Sequence, residues 1–466
     1  MSTSMKASLD PDLLRARLEE QIAKHDVTGA ALGVLLRGEV ATVAAGVVNL
    51  NTGVEATPDT VFEIGSMGKS WTATVVMQLV DEGLVGLDAP VRTYLPDFRV
   101  ADPEVSESVT IRHLLTHSSG IDGDHFQDTG KNDDALERYV ASCGSLGQTH
   151  PLGATMSYCN TGYSILGRVI EVLTDKVWDQ AMRERLYEPL GLTHTATILE
   201  DSLPWRLAVG HASPKPSDPK EVTASLLPRS AGPMGLIRST VDEVLAFARL
   251  HLDGGRGPDG KQILSAETVS AMQQPQVEVP DPYTLGSHWG LGWILFDWDG
   301  HRLYGHDGNT LGQSAFLRIV PEADLAITLL TNARGGHHQV YEAIYSDLLT
   351  DLVGARVPAI PTLPATPPDL DLARYAGTYE RLSVRLDLAV EDGGLAGTVT
   401  LTGPLTKLIP EEEWVTKLSA KPIDETTFLF WDEGEDDPNP GVFYDFEDGV
   451  PRFLHTGART HPRVEA

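Results

Sequence analysis

Ser66 and Lys69 are the side chains best placed for chemistry, because they lie three residues apart where a short apolar run meets a helical pattern. Apolar residues recur at helical spacing over 71–84, which predicts a helix beginning at this pair. On the first turn, both side chains would share one face. A serine hydroxyl is a weak nucleophile until a neighbour takes its proton, and a helix N-terminus favours the oxyanion that forms on attack. The pair predicts a serine nucleophile with a lysine as its proton relay. For the pair alone, the alternative is a solvated serine beside a surface lysine.

Tyr158 and Asn160 form the only Tyr-x-Asn in the chain, between a loop containing glycine and proline and a helical pattern over 161–174. A tyrosine near a protonated lysine can have its pKa lowered and act as a base. The Asn160 amide is expected to donate a hydrogen bond to a bound acyl group. For Tyr158 alone, packing at the start of a helix is the alternative.

His306, Gly308 and Asn309 precede a predicted hairpin, 314–320 paired with 325–331. This position distinguishes His306 from the histidines of two other His-x-Gly triplets. A glycine here would let a substrate lie against the strand edge, and the Asn309 N–H would complete an oxyanion hole.

The elements that must position these residues alternate between strands and helices. Residues 30–48 predict a hairpin, and helices are predicted over 13–25, 69–83, 110–116, 161–174, 240–252 and 340–352. Strands at both ends with helices between them predict an α+β fold, an antiparallel sheet closed by the two ends of the domain. We expect this domain to span residues 1–354, followed by a proline-rich linker at 355–368.

Residues 369–466 change in character, since short strand patterns replace helical ones. Strands are predicted over 375–380, 383–390, 396–401, 405–409, 426–431, 441–446 and 451–456. They indicate a small antiparallel barrel or sandwich. Arg452 and Arg459 belong to a basic tail on this otherwise acidic domain. One or both are expected to reach an anionic part of a substrate, the alternative being a solvated surface.

The order Ser-x-x-Lys, Tyr-x-Asn, His-x-Gly resembles that of the serine β-lactamase and penicillin-binding-protein superfamily, above all its class C branch. Two further segments, His-Leu-Leu-Thr-His-Ser-Ser-Gly at 113–120 and Gly-Pro-Met-Gly at 232–235, resemble parts of that family. The resemblance covers about residues 10 to 353. It implies a β-lactamase-like sheet with helical insertions, followed by a lipocalin-like barrel.

The resemblance also implies roles for the motif residues. Ser66 would become an acyl-enzyme, Lys69 and Tyr158 would shuttle the proton, and the N–H groups of Ser66 and Asn309 would hold the oxyanion. His306 stands where many members carry a lysine that binds the carboxylate of β-lactams. The histidine therefore argues against antibiotic hydrolysis.

A barrel after such a domain resembles two subgroups: D-residue-specific peptidases, and penicillin-binding-protein-type thioesterases that release and cyclise nonribosomal peptides. We expect a peptidyl ester or thioester substrate with a D-residue at its acyl end, released by cyclisation or hydrolysis. One alternative is a cytosolic esterase or D-aminopeptidase with water as the acceptor. Another is a sensor that stalls as a β-lactam adduct.

The composition of the chain excludes some classes of binding partner. The formal net charge of −30 argues against nucleic acid or an anionic membrane, since both would be repelled. No apolar run reaches the length of a membrane span and the N-terminus lacks a secretory pattern, so a cytoplasmic protein is expected. Cys143 and Cys159 are expected to be free thiols, and no metal or cofactor is expected. The expected partner is a small-molecule or peptide acyl substrate, including a peptide linked to a carrier protein; the oligomeric state stays open.

Overall fold

The computed structural model describes residues 9–212, 220–222, 227–403, 406, 411, 414–435 and 437–464. Its strands are β1 (Gly29–Leu36), β2 (Glu39–Gly46), β3 (Phe62–Glu63), β4 (His211–Ala212), β5 (Lys220–Glu221), β6 (Arg238–Ser239), β7 (Val277–Glu278), β8 (His288–Trp289), β9 (Ile294–Trp298), β10 (His301–Thr310), β11 (Gln313–Val320), β12 (Leu325–Thr331), β13 (Ala333–Arg334), β14 (Gly377–Arg381), β15 (Val384–Glu391), β16 (Gly394–Leu401), β17 (Val415–Pro422), β18 (Thr427–Asp432), β19 (Asn439–Glu447), β20 (Val450–Thr456) and β21 (Arg459–Val464).

The α-helices lie mostly between the first two and the later strands of the main sheet. They are α1 (Pro11–Lys24), α2 (Gly68–Asp81), α3 (Pro103–Ser108), α4 (Ile111–Leu115), α5 (Ala135–Ser142), α6 (Asn160–Thr174), α7 (Trp178–Met182), α8 (Glu188–Leu190), α9 (Leu199–Ser202), α10 (Gly232–Gly235), α11 (Val241–Leu252), α12 (Ala266–Met272), α13 (Pro282–Leu285) and α14 (His337–Val353). None of the described helices is long and apolar enough to cross a bilayer.

The main sheet has the strand order β2-β1-β12-β11-β10-β9-β8-β7 within the described residues. β1 pairs antiparallel with β12, so the first and last long strands of this part of the chain are neighbours, and the predicted closure by the two ends is confirmed. Alternate residues of β1 enter two cores: Leu32 and Val34 pack with α1 and α14, and Leu35 packs with α11. Because both faces are covered, the strand is buried along its whole length.

Helix α2 is the central helix of the larger core. Residues 68–79 are all buried, because α2 packs against α6 and α10 while the 3-10 turn before it, Gly65–Met67, meets β10. A helix that is buried on every side holds its first turn in one position, and Lys69 is on that turn.

The last eight described strands, β14 to β21, form a closed antiparallel barrel. Six of them were predicted, while the predicted segment 405–409 lies outside the described residues except for residue 406. β17 and β21 were missed; the tail at 459–464 is a strand and not only a basic surface segment. Pro462 and its charged neighbours hid β21, since prolines and charges are rare in strands. The barrel has its own aromatic core of Tyr375, Tyr379, Phe428, Phe430 and Phe443.

Two hairpin turns of the barrel contact the larger part of the chain. In the β20–β21 turn, the Ala458 carbonyl accepts a hydrogen bond of 2.9 Å from the Tyr158 N–H. In the β14–β15 turn, the Leu382 N–H donates to the Asp122 carboxylate. Ala458 and Ser383 both have positive φ angles, 66° and 71°, and both are buried. The barrel therefore touches the segment that contains Tyr158.

Candidate active site

Ser66 lies in a 3-10 turn, Gly65–Met67, that leads directly into α2. Ser66 is partly exposed, whereas Gly65 and Met67 are buried. The turn packs against β10 so closely that a Cβ at Gly308 would lie 1.9 Å from the Ile64 carbonyl oxygen. A Cβ at Gly65 would likewise lie 2.7 Å from the Asn309 nitrogen. Glycines at both positions bring the Asn309 backbone beside the serine turn, where an oxyanion hole requires it.

The Lys69 amine is buried against the serine. Nζ lies 3.0 Å from the Ser66 Oγ and 2.6 Å from the Met234 carbonyl oxygen. Burial lowers the pKa of Lys69 well below its ordinary value, and the Arg459 charge lowers it further. A neutral amine has a lone pair, so Lys69 can take the proton of Ser66.

Tyr158 is buried, and its hydroxyl faces Ser66. Burial raises the pKa of Tyr158 despite opposing contributions from Ser66 and Arg459. The expectation that this pKa is lowered is therefore wrong, because desolvation outweighs the contributions that lower it. The phenol stays protonated and can donate its proton.

His306 is uncharged at neutral pH. Its Nδ1 lies 2.6 Å from the Asp307 carbonyl oxygen, which only accepts, so Nδ1 carries the proton and Nε2 carries the lone pair. Burial, with Lys69 nearby, lowers the pKa of His306 to about 3. Its ring lies edge-on to those of Tyr158 and Trp289. A neutral imidazole gives the site no permanent cation for a substrate carboxylate.

Asn160 begins α6, and its Nδ2 donates to the Asp124 Oδ1 over 2.8 Å. Arg459 from the barrel donates to the same carboxylate, and its guanidinium lies 5.0 Å from the centroid of the Tyr158 ring. The structure does not bring Arg452 here. That side chain is 52% exposed on the outside of the barrel, beside Asp445.

The sequence and the fold now agree with a known family. Residues 14–352 match the model of the family described as Beta-lactamase. The chain belongs to the beta-lactamase family. It is 45% identical over 367 residues to penicillin-binding protein 4 of Amycolatopsis lactamdurans, covering 78% of this chain and 96% of that protein. It is 27% identical over 413 residues to an unguisins hydrolase of Aspergillus campestris, covering 80% of this chain and 76% of that protein.

Solved structures of the superfamily share the architecture. SurE aligns with 29% identity and a TM-score of 0.75, covering 99% of this chain and all of that one. SurE with D-Leu aligns with 28% identity and a TM-score of 0.76 over 97% of this chain and 99% of that one. The D-amino acid amidase of Ochrobactrum anthropi, at 24% identity and a TM-score of 0.60, shares the fold over 75% of this chain and 98% of that one. The protein is thus a beta-lactamase-family serine hydrolase.

Sequence reasoning missed His117 in this beta-lactamase-family site. Its ring stacks on Tyr158 with centroids 4.3 Å apart. Its Nδ1 accepts the Cys159 N–H over 2.9 Å, and its carbonyl accepts the Ser157 N–H over 2.9 Å. His117 therefore holds the backbone on both sides of Tyr158. The segment 113–120 was already noted for its resemblance to the family, so a signal existed.

Both cysteines are free and buried. The Cys159 Sγ accepts the Gly162 N–H over 3.3 Å and caps α6. Burial raises the pKa of Cys159 to about 12, so its thiol is not ionised at neutral pH. A protonated thiol that caps a helix is a packing group and not a second nucleophile. No group of metal-ligating side chains occurs among the residues that the structure describes.

Replacing Arg459 by glutamine is expected to lower kcat/KM, while Arg452→Gln is the matched control. Arg459 donates twice to the buried Asp124 and covers Tyr158, so its loss leaves the carboxylate with fewer charged donors. We expect a decrease of about tenfold to hundredfold, the effect of one such missing interaction. Arg452→Gln should change kcat/KM by less than about twofold, since exposed ion pairs contribute little. Equal effects of the two variants would show that Arg459 has no special role.

Proposed function

We propose that this enzyme is a serine acyltransferase that forms an acyl-enzyme on Ser66 from a peptidyl ester or thioester with a D-residue at its acyl end. The peptide's own amine would then release it as a cyclic product. The observation that carries the proposal is the buried Lys69 amine, 3.0 Å from the Ser66 Oγ and favoured in its neutral form. Residues 1–354 would carry the chemistry, and residues 369–466 would complete the substrate cleft.

Acylation follows from the protonation states. Neutral Lys69 takes the proton of Ser66 as Oγ attacks the carbonyl, and the N–H groups of Ser66 and Asn309 stabilise the oxyanion. The leaving thiolate or alkoxide takes a proton from the Tyr158 hydroxyl. Protonated Lys69 then gives its extra proton to the Tyr158 oxygen. Lys69 is neutral again when the acyl-enzyme has formed.

Release follows the same route in reverse. The amine of the bound peptide attacks the Ser66 ester, and the neutral Lys69 and Tyr158 together carry its proton to the departing Oγ. The lack of charge on His306 supports a substrate with no free carboxylate at the acyl end. The likeness to SurE, whose structure is known with D-Leu, supports a D-residue at that position.

Hydrolysis is the second candidate, and the relationship to an unguisins hydrolase favours it. The same Ser66 ester would form, and water would be the acceptor. In either case we propose a cytoplasmic enzyme whose substrate is a free peptide or a peptide linked to a carrier protein.

A panel of linear peptidyl thioesters tests whether the acyl acceptor is the peptide's own amine or water. Each peptide has an L- or D-residue at the activated end and either a free or an acetylated amine at the other, and products are identified by mass spectrometry. We expect cyclic product from the D-series with a free amine only. Linear acid from both free and acetylated D-peptides would make the enzyme a hydrolase, and no turnover of any peptide would refute peptide acyl transfer. Short p-nitrophenyl esters should be turned over poorly by a cyclase.

A further inference from the structure

A buried carboxylate lies where the barrel meets the site. Asp124 is 6% exposed and accepts four hydrogen bonds from residues that the structure describes. Its Oδ1 accepts from Asn160 Nδ2 at 2.8 Å and Arg459 Nη2 at 3.2 Å. Its Oδ2 accepts from Arg381 Nη1 at 2.8 Å and Arg459 Nε at 3.0 Å. One side chain therefore joins the start of α6 to two residues of the barrel.

The two arginines come from neighbouring strands. Arg381 ends β14 and Arg459 begins β21, and these strands pair in the barrel. Both guanidinium groups point to the same carboxylate because the two hairpin turns lie at one end of the barrel. Without that carboxylate, two largely buried cations would face each other close to Lys69, which is unfavourable. Asp124, with the neighbouring Asp122 that accepts the Leu382 N–H, thus neutralises the positive charge of both turns beside the site.

Asp124 also fixes the orientation of the Asn160 side chain. Burial alone would raise the pKa of Asp124, but Arg459 and Arg381 hold it below its ordinary value, so the group is a carboxylate. A carboxylate only accepts hydrogen bonds, so the NH₂ group of Asn160 must face it. The second N–H and the carbonyl oxygen of that amide are then held in fixed directions.

We propose that Asp124 is a positioning residue that selects acyl donors carrying an amide next to the reacting carbonyl. It acts by orienting Asn160 towards that amide and by holding Arg459 over Tyr158, so that docking of the barrel determines substrate choice. This inference rests on the proposed function, because it requires acyl transfer to Ser66 and a contact between Asn160 and the acyl group.

The test compares acylation of wild-type and Asp124→Asn enzyme by two esters with the same leaving group. These are p-nitrophenyl acetate, which has no amide, and the p-nitrophenyl ester of N-acetyl-D-leucine, which has one. The burst of p-nitrophenol gives each acylation rate. Asp445→Asn, a change at a half-exposed carboxylate beside Arg452, is the matched control.

The ratio of interest is the acylation rate with the N-acetyl-D-leucine ester divided by the rate with p-nitrophenyl acetate. We expect Asp124→Asn to lower this ratio by about tenfold or more, the effect of one misplaced hydrogen bond. The rate with p-nitrophenyl acetate should fall much less, and Asp445→Asn should leave the ratio unchanged. A parallel fall with both esters would show a merely structural role and overturn the inference, as would an unchanged ratio.

A second variant covers the case in which Asp124→Asn does not fold. Arg381→Gln leaves Asp124 bonded to Arg459 and Asn160, so a smaller fall in the same ratio is expected. An unchanged ratio in a folded Arg381→Gln enzyme contradicts the inference. Absence of a burst from wild-type enzyme with both esters, together with no turnover of the peptidyl thioesters, would instead refute the proposed function itself.

Discussion

Ser66→Ala is expected to lower acyl transfer by at least about 10⁴-fold, as removal of a nucleophile does in other serine enzymes. The hydroxyl is the atom that Lys69 and Tyr158 face, and the neighbouring Cys159 thiol is not ionised at neutral pH. The fold should persist because Ser66 is partly exposed and Lys69 keeps its hydrogen bond to Met234. The rate with a peptidyl thioester and the thermal unfolding curve together check this.

Ser108→Ala is the matched control, since Ser108 is an exposed serine that bonds only to the Glu104 carbonyl within its own helix, among the contacts of the described residues. It should leave the rate unchanged. Full activity in Ser66→Ala would place the nucleophile elsewhere and contradict the proposed mechanism.

Lys69→Met is expected to lower kcat/KM by about 10² to 10⁴-fold without destabilising the protein. Methionine fills a similar volume but has no lone pair able to take the Ser66 proton. Burying an amine is costly, so an apolar side chain at this fully buried position should leave the unfolding temperature equal or higher. A loss of activity together with a loss of stability would indicate a structural lysine instead.

The pH dependence of kcat/KM also distinguishes a catalytic from a structural role of Lys69. Burial lowers the pKa of Lys69. The amine therefore loses its proton as the pH rises through that lowered pKa, and wild-type kcat/KM should rise over the same pH range. The unfolded chain binds more protons than the folded one between the lowered pKa and the ordinary value near 10.5, so this group makes stability rise with pH there. In Lys69→Arg, which stays charged, the rise in kcat/KM should disappear.

The part of the site that sequence could predict is the part set by local geometry. Ser66 and Lys69 share a face because residues three apart on any helical turn do so. Their burial state was not predictable, since it depends on Met234 and the helices around α2. The same limit explains the wrong direction expected for the Tyr158 pKa, which depends on how much water the folded chain excludes.

The contacts made by the barrel could not be predicted from the sequence for a different reason. Asp124 meets Arg381 and Arg459 across separations of 257 and 335 residues, and no local pattern encodes such a meeting. The basic tail drew attention to Arg459 and Arg452 equally. Only the pairing of β20 with β21 decides that Arg459 is at the turn beside Tyr158 and that Arg452 faces outwards.

The central claim is that Ser66 carries the acyl group, and trapping that group tests it most directly. Wild-type enzyme would be mixed with a peptidyl thioester bearing a D-residue and an acetylated amine, quenched in acid, digested and mapped by mass spectrometry. The proposed mechanism requires one acyl group per chain, on the peptide containing Ser66, and none in Ser66→Ala. An adduct on Cys159 or on any other residue, or turnover through Ser66→Ala, would contradict it.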